Sequence, residues 1–153
     1  MGGARLPAPF SPERSYQSGV FTLENRSGLP DGEVRELVAY GAGPVGLAGV
    51  HVVVRAGARR MGWRGRAFRR LPAGQWPEGT EYLISISLNR GRDFASGDWR
   101  QWLVEGAAHE AKHVEQYREG RHHGLGRAMA RRLEHESRDY QESRRSAYLL
   151  GLG

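Results

Sequence analysis

The tightest constraint on this chain is residues 98–120, where His109-Glu110-Ala111-Lys112-His113 lies between a helix start and a helix stop. Asp98 is a good N-cap residue, and Gly120 is a good residue just past a C-terminus. Between them Trp99, Trp102, Leu103, Gly106, Ala107, Val114 and Tyr117 supply an apolar side to bury. Positions four apart share a helix face, so His109 and His113 present two imidazoles on one side. Glu110, one position on, lies about 100° further around the axis. Trp102 and Gly106 fall near the His109 face, which predicts that this face is partly covered.

A second helix is expected from about Arg127 to Leu150. Gly124 and Gly126 break the chain before it, so the two helices can fold back as a hairpin. Met129, Leu133, Tyr140 and Ala147 form its apolar stripe. The second helix also brings carboxylates, Glu134 and Glu136. Zinc at catalytic sites takes three protein ligands and keeps a fourth position open. Two histidines from one helix and one glutamate from the next would meet that need. The alternative is a pair of half-buried histidines on an amphipathic helix, with Glu110 an ordinary solvated charge.

The region from Asp98 to about Tyr148, roughly a third of the chain, resembles the gluzincin zinc metallopeptidases. Their small bacterial and phage-type members are the most similar. These carry HExxH on one helix and a Glu-x-x-Ala-Asp-like motif on the next. His109, Glu110, His113 and the run Glu134-His135-Glu136-Ser137 carry the match. The resemblance implies that His109, His113 and Glu134 hold Zn2+ and that Glu110 is the general base in hydrolysis of a peptide bond. The motif favours Glu134 as third ligand. Helix periodicity favours Glu136, nearer the centre of the apolar stripe, so both stay open. Ser137 stands where the family has a small Ala. Arg138 stands where it has Asp or Asn, which supports a ligand, and Asp139 is adjacent.

The implied architecture is α+β: a minimal zincin-like domain with an N-terminal helix and a small antiparallel or mixed sheet, then the HExxH helix and a second ligand-bearing helix. Residues 1–30 are rich in Pro, Gly, Ser and Arg and read as an extended or partly disordered lead-in, with Val20-Phe21-Thr22-Leu23 a short strand. Residues 31–153 then form one domain. Asp31 as N-cap, Val34, Leu37 and Val38 at helical spacing, and Gly41 as a stop predict a helix over Gly32–Tyr40. The loop from Gly41 to Gly46 lacks the phosphate-binding pattern. Val50–Arg55 is a β-branched run and reads as a strand, with Met61–Phe68 its partner. In Tyr82–Leu88 alternation predicts a half-buried strand. Zincins commonly use the strand before the HExxH helix as the upper edge of the cleft. By that analogy Tyr82, Ile84 and Ile86 are candidate substrate-binding residues, on an edge where a peptide or protein substrate adds a strand.

The chain has no cysteine, which excludes disulfides and thiolate metal sites and restricts any metal to His and carboxylate ligands. Its net charge is +6, and Lys112 is its sole lysine. The arginine-rich run from Arg55 to Arg70, interleaved with Trp63 and Phe68, raises a rival function, a nucleic-acid-binding module. A solvated basic hairpin is the simpler reading of the same run. A second rival is a catalytically inactive metallopeptidase-like scaffold, for which Arg138 leaves room. His122 and His123 read as loop residues that could donate a proton or stabilise charge, and His135 reads as exposed. Tyr117 and Tyr140 read as packing residues, and His51 as strand packing. No stretch is apolar enough to span a membrane, and the N-terminus lacks a signal-like apolar region. A cytoplasmic protein without a membrane partner is expected.

Overall fold

Val50 opens the run Val-His-Val-Val-Val, which is buried on both sides, as expected of a strand in the middle of a parallel arrangement. The computed structural model of the chain describes residues 21–57, 64–90, 94, 98–122 and 126–152. Strand β2 (Val50–Gly57) lies between β1 (Phe21–Arg26) and β4 (Tyr82–Asn89) and runs parallel to both. Strand β3 (Arg64–Phe68) pairs antiparallel with the far side of β4, giving the order β1-β2-β4-β3. Among the described residues three long helices join the sheet in an α+β fold: α1 (Asp31–Ala42), α2 (Trp99–Arg118) and α3 (Arg127–Leu149).

Phe21, Val50, Val52, Val54, Ile84, Ile86 and Leu88 share one face of the sheet and are buried there. Val34 and Val38 of α1 and Leu103, Val104, Ala107, Ala111 and Val114 of α2 pack on that face. Burying each large aliphatic side chain contributes about 1.5–3 kcal/mol. The other face carries His51, which accepts or donates to Thr22 Oγ1 at 2.6 Å and meets Glu24 Oε1 at 3.2 Å. The Trp76 ring lies 5.9 Å from it, so His51 is the packing residue its sequence context suggested.

Four expectations need correction. The folded unit begins no later than Phe21 rather than at residue 31, because Phe21 is buried and β1 is a full partner of β2. Val20 lies outside the described residues. The first helix does not stop at Gly41. It runs to Ala42, and Gly41 is an interior residue where α1 crosses α2. A Cβ at Gly41 would fall 2.3 Å from the Val104 carbonyl oxygen, so glycine is needed for close approach there rather than for termination. Third, β3 pairs with β4 and not with β2; Met61–Trp63 lie outside the described residues.

The fourth correction concerns the cleft. Tyr82–Leu88 is not an edge: β4 pairs with β2 on one side and β3 on the other. Its main-chain groups are therefore taken, and Ile84 and Ile86 point into the core. They cannot line a substrate groove. Tyr82 stacks on Tyr117, with centroids 6.2 Å apart. The sheet edge nearest the HExxH helix is β3 instead.

Candidate metal centre

Helix α2 lies between the sheet and α3. One face, through Leu103, Ala107, Ala111 and Val114, is committed to the core. The remaining arc carries His109 and His113, whose rings sit 5.0 Å apart. Asp98 precedes the helix but makes no side-chain cap; its carbonyl accepts the Trp102 N–H at 3.0 Å. At the other end Gly120 has φ 72°, and the Arg121 N–H closes on the Gln116 carbonyl at 3.0 Å, a glycine-dependent stop as expected.

Helix α3 packs back against α2 and brings Glu134 to the two imidazoles. His109 Nε2 is 2.8 Å from Glu134 Oε2, and His113 Nε2 is 3.1 Å from Glu134 Oε1. The three residues offer ligand atoms all within 4.8 Å of one another and could hold a metal ion. Tetrahedral bonds of about 2 Å place ligand atoms roughly 3.3 Å apart, close to these spacings. Glu136 is not part of this group. Its carboxylate accepts from Arg121 at 2.9 Å, which holds its carboxyl below the usual range, and it also meets Gln116.

The histidines are oriented from behind by two amides. Gln141 Nε2 donates to Glu105 Oε1 at 2.9 Å, which turns Gln141 Oε1 toward His109 Nδ1, 2.8 Å away. Gln116 Nε2 donates to the Leu133 carbonyl at 3.0 Å, which turns Gln116 Oε1 toward His113 Nδ1, 2.9 Å away. Ser137 Oγ lies 3.3 Å from the same nitrogen. An amide oxygen can only accept, so each Nδ1 carries the hydrogen. In the neutral rings each Nε2 then directs a lone pair at a carboxylate oxygen. Burial pushes the His109 pKa down, against the protonation that would otherwise relieve this contact. A cation between the three groups relieves it directly, so the donor set fits a divalent metal.

Glu110 is buried beside the trio. Burial, with the Glu134 charge adding, pushes its carboxyl up to about 8. A cation at His109, His113 and Glu134 would favour its ionised form. The cleft in front of these groups has a volume of about 970 Å³. Gly65 and Ala67 of β3 line one wall, Tyr117 of α2 joins them, and Arg138 and Gln141 of α3 line the other.

The remaining expected residues divide clearly. Tyr117 reaches the site, and its hydroxyl donates to the Ala67 carbonyl at 3.1 Å. Tyr140 does not: its hydroxyl donates to the Ala42 carbonyl and accepts from the Val45 N–H, pinning α3 to the end of α1. His122 approaches within 3.1 Å of Gln116 Oε1, and its ring stands 4.4 Å from that of Tyr117. His123 lies outside the described residues. His135 and Asp139 are exposed, and the support expected of Asp139 comes from Gln141.

Glu105, Gln116 and Gln141 were not singled out in the sequence. Their signal is helical spacing: Glu105 is four before His109, Gln116 is three after His113, and Glu134, Ser137 and Gln141 share a face of α3. Comparison with family models, curated proteins and solved structures yields no match to this chain. No helix among the described residues is long and apolar enough to cross a membrane.

Proposed function

We propose that this chain is a zinc-dependent peptidase of the gluzincin type. The observation that carries the reading is the convergence of His109 Nε2, His113 Nε2 and the Glu134 carboxylate beside the buried Glu110, beneath β3, the last strand of the sheet among the described residues. A divalent cation held by the three ligands supplies Lewis acidity, acidifying water and polarising a carbonyl. Glu110 takes the proton of the attacking water and passes it to the leaving amine. Burial keeps competing water from solvating Glu110, so its basicity is spent on the bound one.

The substrate strand pairs with β3, not with Tyr82–Leu88. Antiparallel addition to an exposed edge positions the scissile carbonyl over the cleft through main-chain hydrogen bonds. The rings of Tyr117, Trp102 and His122 stand at or near this cleft, where they can exclude water.

Arg138 does not favour the inactive-scaffold reading, since Gln116 and Gln141 support the two histidines without it. Of the basic strip, Arg59, Arg60 and Trp63 lie outside the described residues, while Arg64 and Arg66 line the same cleft. That part of the strip is placed to serve the site, whereas Arg69 and Arg70 line a neighbouring depression.

The test is metal-dependent cleavage of fluorogenic peptides by the purified protein. Glu110→Gln should keep stoichiometric zinc and lose hydrolysis; His113→Ala should lose both. A fully active Glu110→Gln protein removes the proposed base and with it the mechanism.

A further inference from the structure

The edge that β3 offers is short and unusually charged. The Ala67 carbonyl accepts from Tyr117, a helix residue outside the sheet, which fits an Ala67 whose main-chain groups face away from β4. Pairing alternates along an antiparallel ladder, so Gly65, two residues earlier, turns the same way. Tyr117 occupies the edge at Ala67. The N–H and C=O of Gly65 are thus the pair that an incoming strand can meet.

Side chains alternate about this strand. Ala67 belongs to the core face, so Arg64 and Arg66 project from the opposite face, one on each side of Gly65. The Arg66 guanidinium rests 4.3 Å from the centroid of the Phe68 ring, which holds it along the strand. Arg138 adds a third guanidinium from the α3 wall. None of these three arginines pairs with a carboxylate of a described residue, whereas Arg26, Arg100 and Arg121 all do. A divalent cation balances the charges of Glu110 and Glu134. What remains in the lining is Arg64, Arg66 and Arg138 against Glu142 alone.

We propose that the cleft selects acidic peptides, with carboxylate side chains at alternate positions, one on each side of the residue that pairs with Gly65. Those two side chains stand directly opposite Arg64 and Arg66, where cross-strand pairs of opposite charge stabilise. The residue between them lies over Gly65, which presents no side chain. This substrate class rests on the peptidase reading above. A single-stranded nucleic acid fits less well. The Tyr117 ring is taken up by Tyr82 and His122 and the Phe68 ring is covered by Arg66, so neither offers a face on which a base can stack.

The experiment is a binding titration that does not need turnover. Zinc-loaded Glu110→Gln protein is titrated with labelled hexapeptides carrying Glu-Ala-Glu, Gln-Ala-Gln or Glu-Glu-Ala in one frame. Zinc-loaded Glu110→Ala protein supplies the same comparison if that variant does not fold. Glu-Ala-Glu should bind about tenfold more tightly than Gln-Ala-Gln at low salt, with Glu-Glu-Ala between them. The preference should collapse in Arg64→Gln/Arg66→Gln protein and shrink with added salt. Equal affinities, or a preference that survives loss of both arginines, overturn the proposal. So does a single-stranded oligonucleotide that binds more tightly than the acidic peptide. Turnover separates the two claims. Wild-type enzyme that cleaves Glu and Gln peptides with equal kcat/KM keeps the peptidase and ends the acidic preference. An arginine-dependent acidic preference without cleavage of any peptide supports the anion-selecting edge and ends the peptidase.

Discussion

His109 Nδ1 donates its hydrogen to Gln141 Oε1, 2.8 Å away, and Glu105 holds that amide from the other side. The contact fixes the tautomer and ring angle that direct Nε2 at Glu134. Gln141→Leu removes the acceptor and leaves the helix intact. Divalent-metal affinity, read by competition with a chromophoric chelator, should fall by about ten- to a hundredfold. An unchanged affinity would mean that the amide does not orient the ligand.

The two glutamates of α3 have opposite assignments that one titration distinguishes. Glu134 faces both imidazoles, whereas Glu136 is engaged with Arg121. Glu134→Gln should abolish tight metal binding. Glu136→Gln should retain it and lose no more than about 1 kcal/mol, since its ion pair is partly exposed. Metal binding that survives Glu134→Gln and fails in Glu136→Gln would reverse the ligand assignment.

Both site helices were legible in the sequence because a 3.6-residue period and glycine stops are local signals. The order of the strands was not. Alternation in Tyr82–Leu88 says which side chains share a face and nothing about whether neighbours pair on one side or both. That is decided by the contact of Arg64–Phe68 with β4, a segment whose glycine and arginines make a faint strand signal. Gly41 read as a stop because a glycine needed for close helix approach looks the same in one dimension. Glu136 competed with Glu134 because periodicity does not register the Arg121 side chain that claims it.

Glu110 links the centre to pH. Its carboxyl sits near 8 in the fold against an ordinary 4.5, so between these values the folded metal-free protein binds more protons than the unfolded chain. Glu110 therefore lowers stability as pH rises from about 4.5 through about 8. His109, pushed down by burial, contributes the opposite slope below its ordinary 6.5, so the informative quantity is wild type against Glu110→Gln. Urea unfolding in chelator should show the variant gaining on wild type across this range. Identical pH profiles would show that Glu110 ionises in the fold as it does in the unfolded chain. With metal, binding should release a proton and tighten as pH rises.

Two glycines of α1 predict opposite outcomes for the same substitution. A Cβ at Gly41 would meet the Val104 carbonyl oxygen at 2.3 Å and the Ala107 Cβ at 3.0 Å, both on the helix that carries His109 and His113. A Cβ at Gly32, in the same helix, meets nothing within 4 Å. Gly32→Ala should stabilise by about 0.5 kcal/mol, through the reduced entropy of the unfolded chain. Gly41→Ala gains the same entropy but must push α1 off α2, and should cost about 2–3 kcal/mol, or roughly 5–10 °C in Tm. Because α2 presents His109 and His113 to α3, metal affinity should fall along with stability. Matching thermal shifts for the two variants would show that the helix crossing can relax, and that Gly41 is not what sets the distance between α1 and α2.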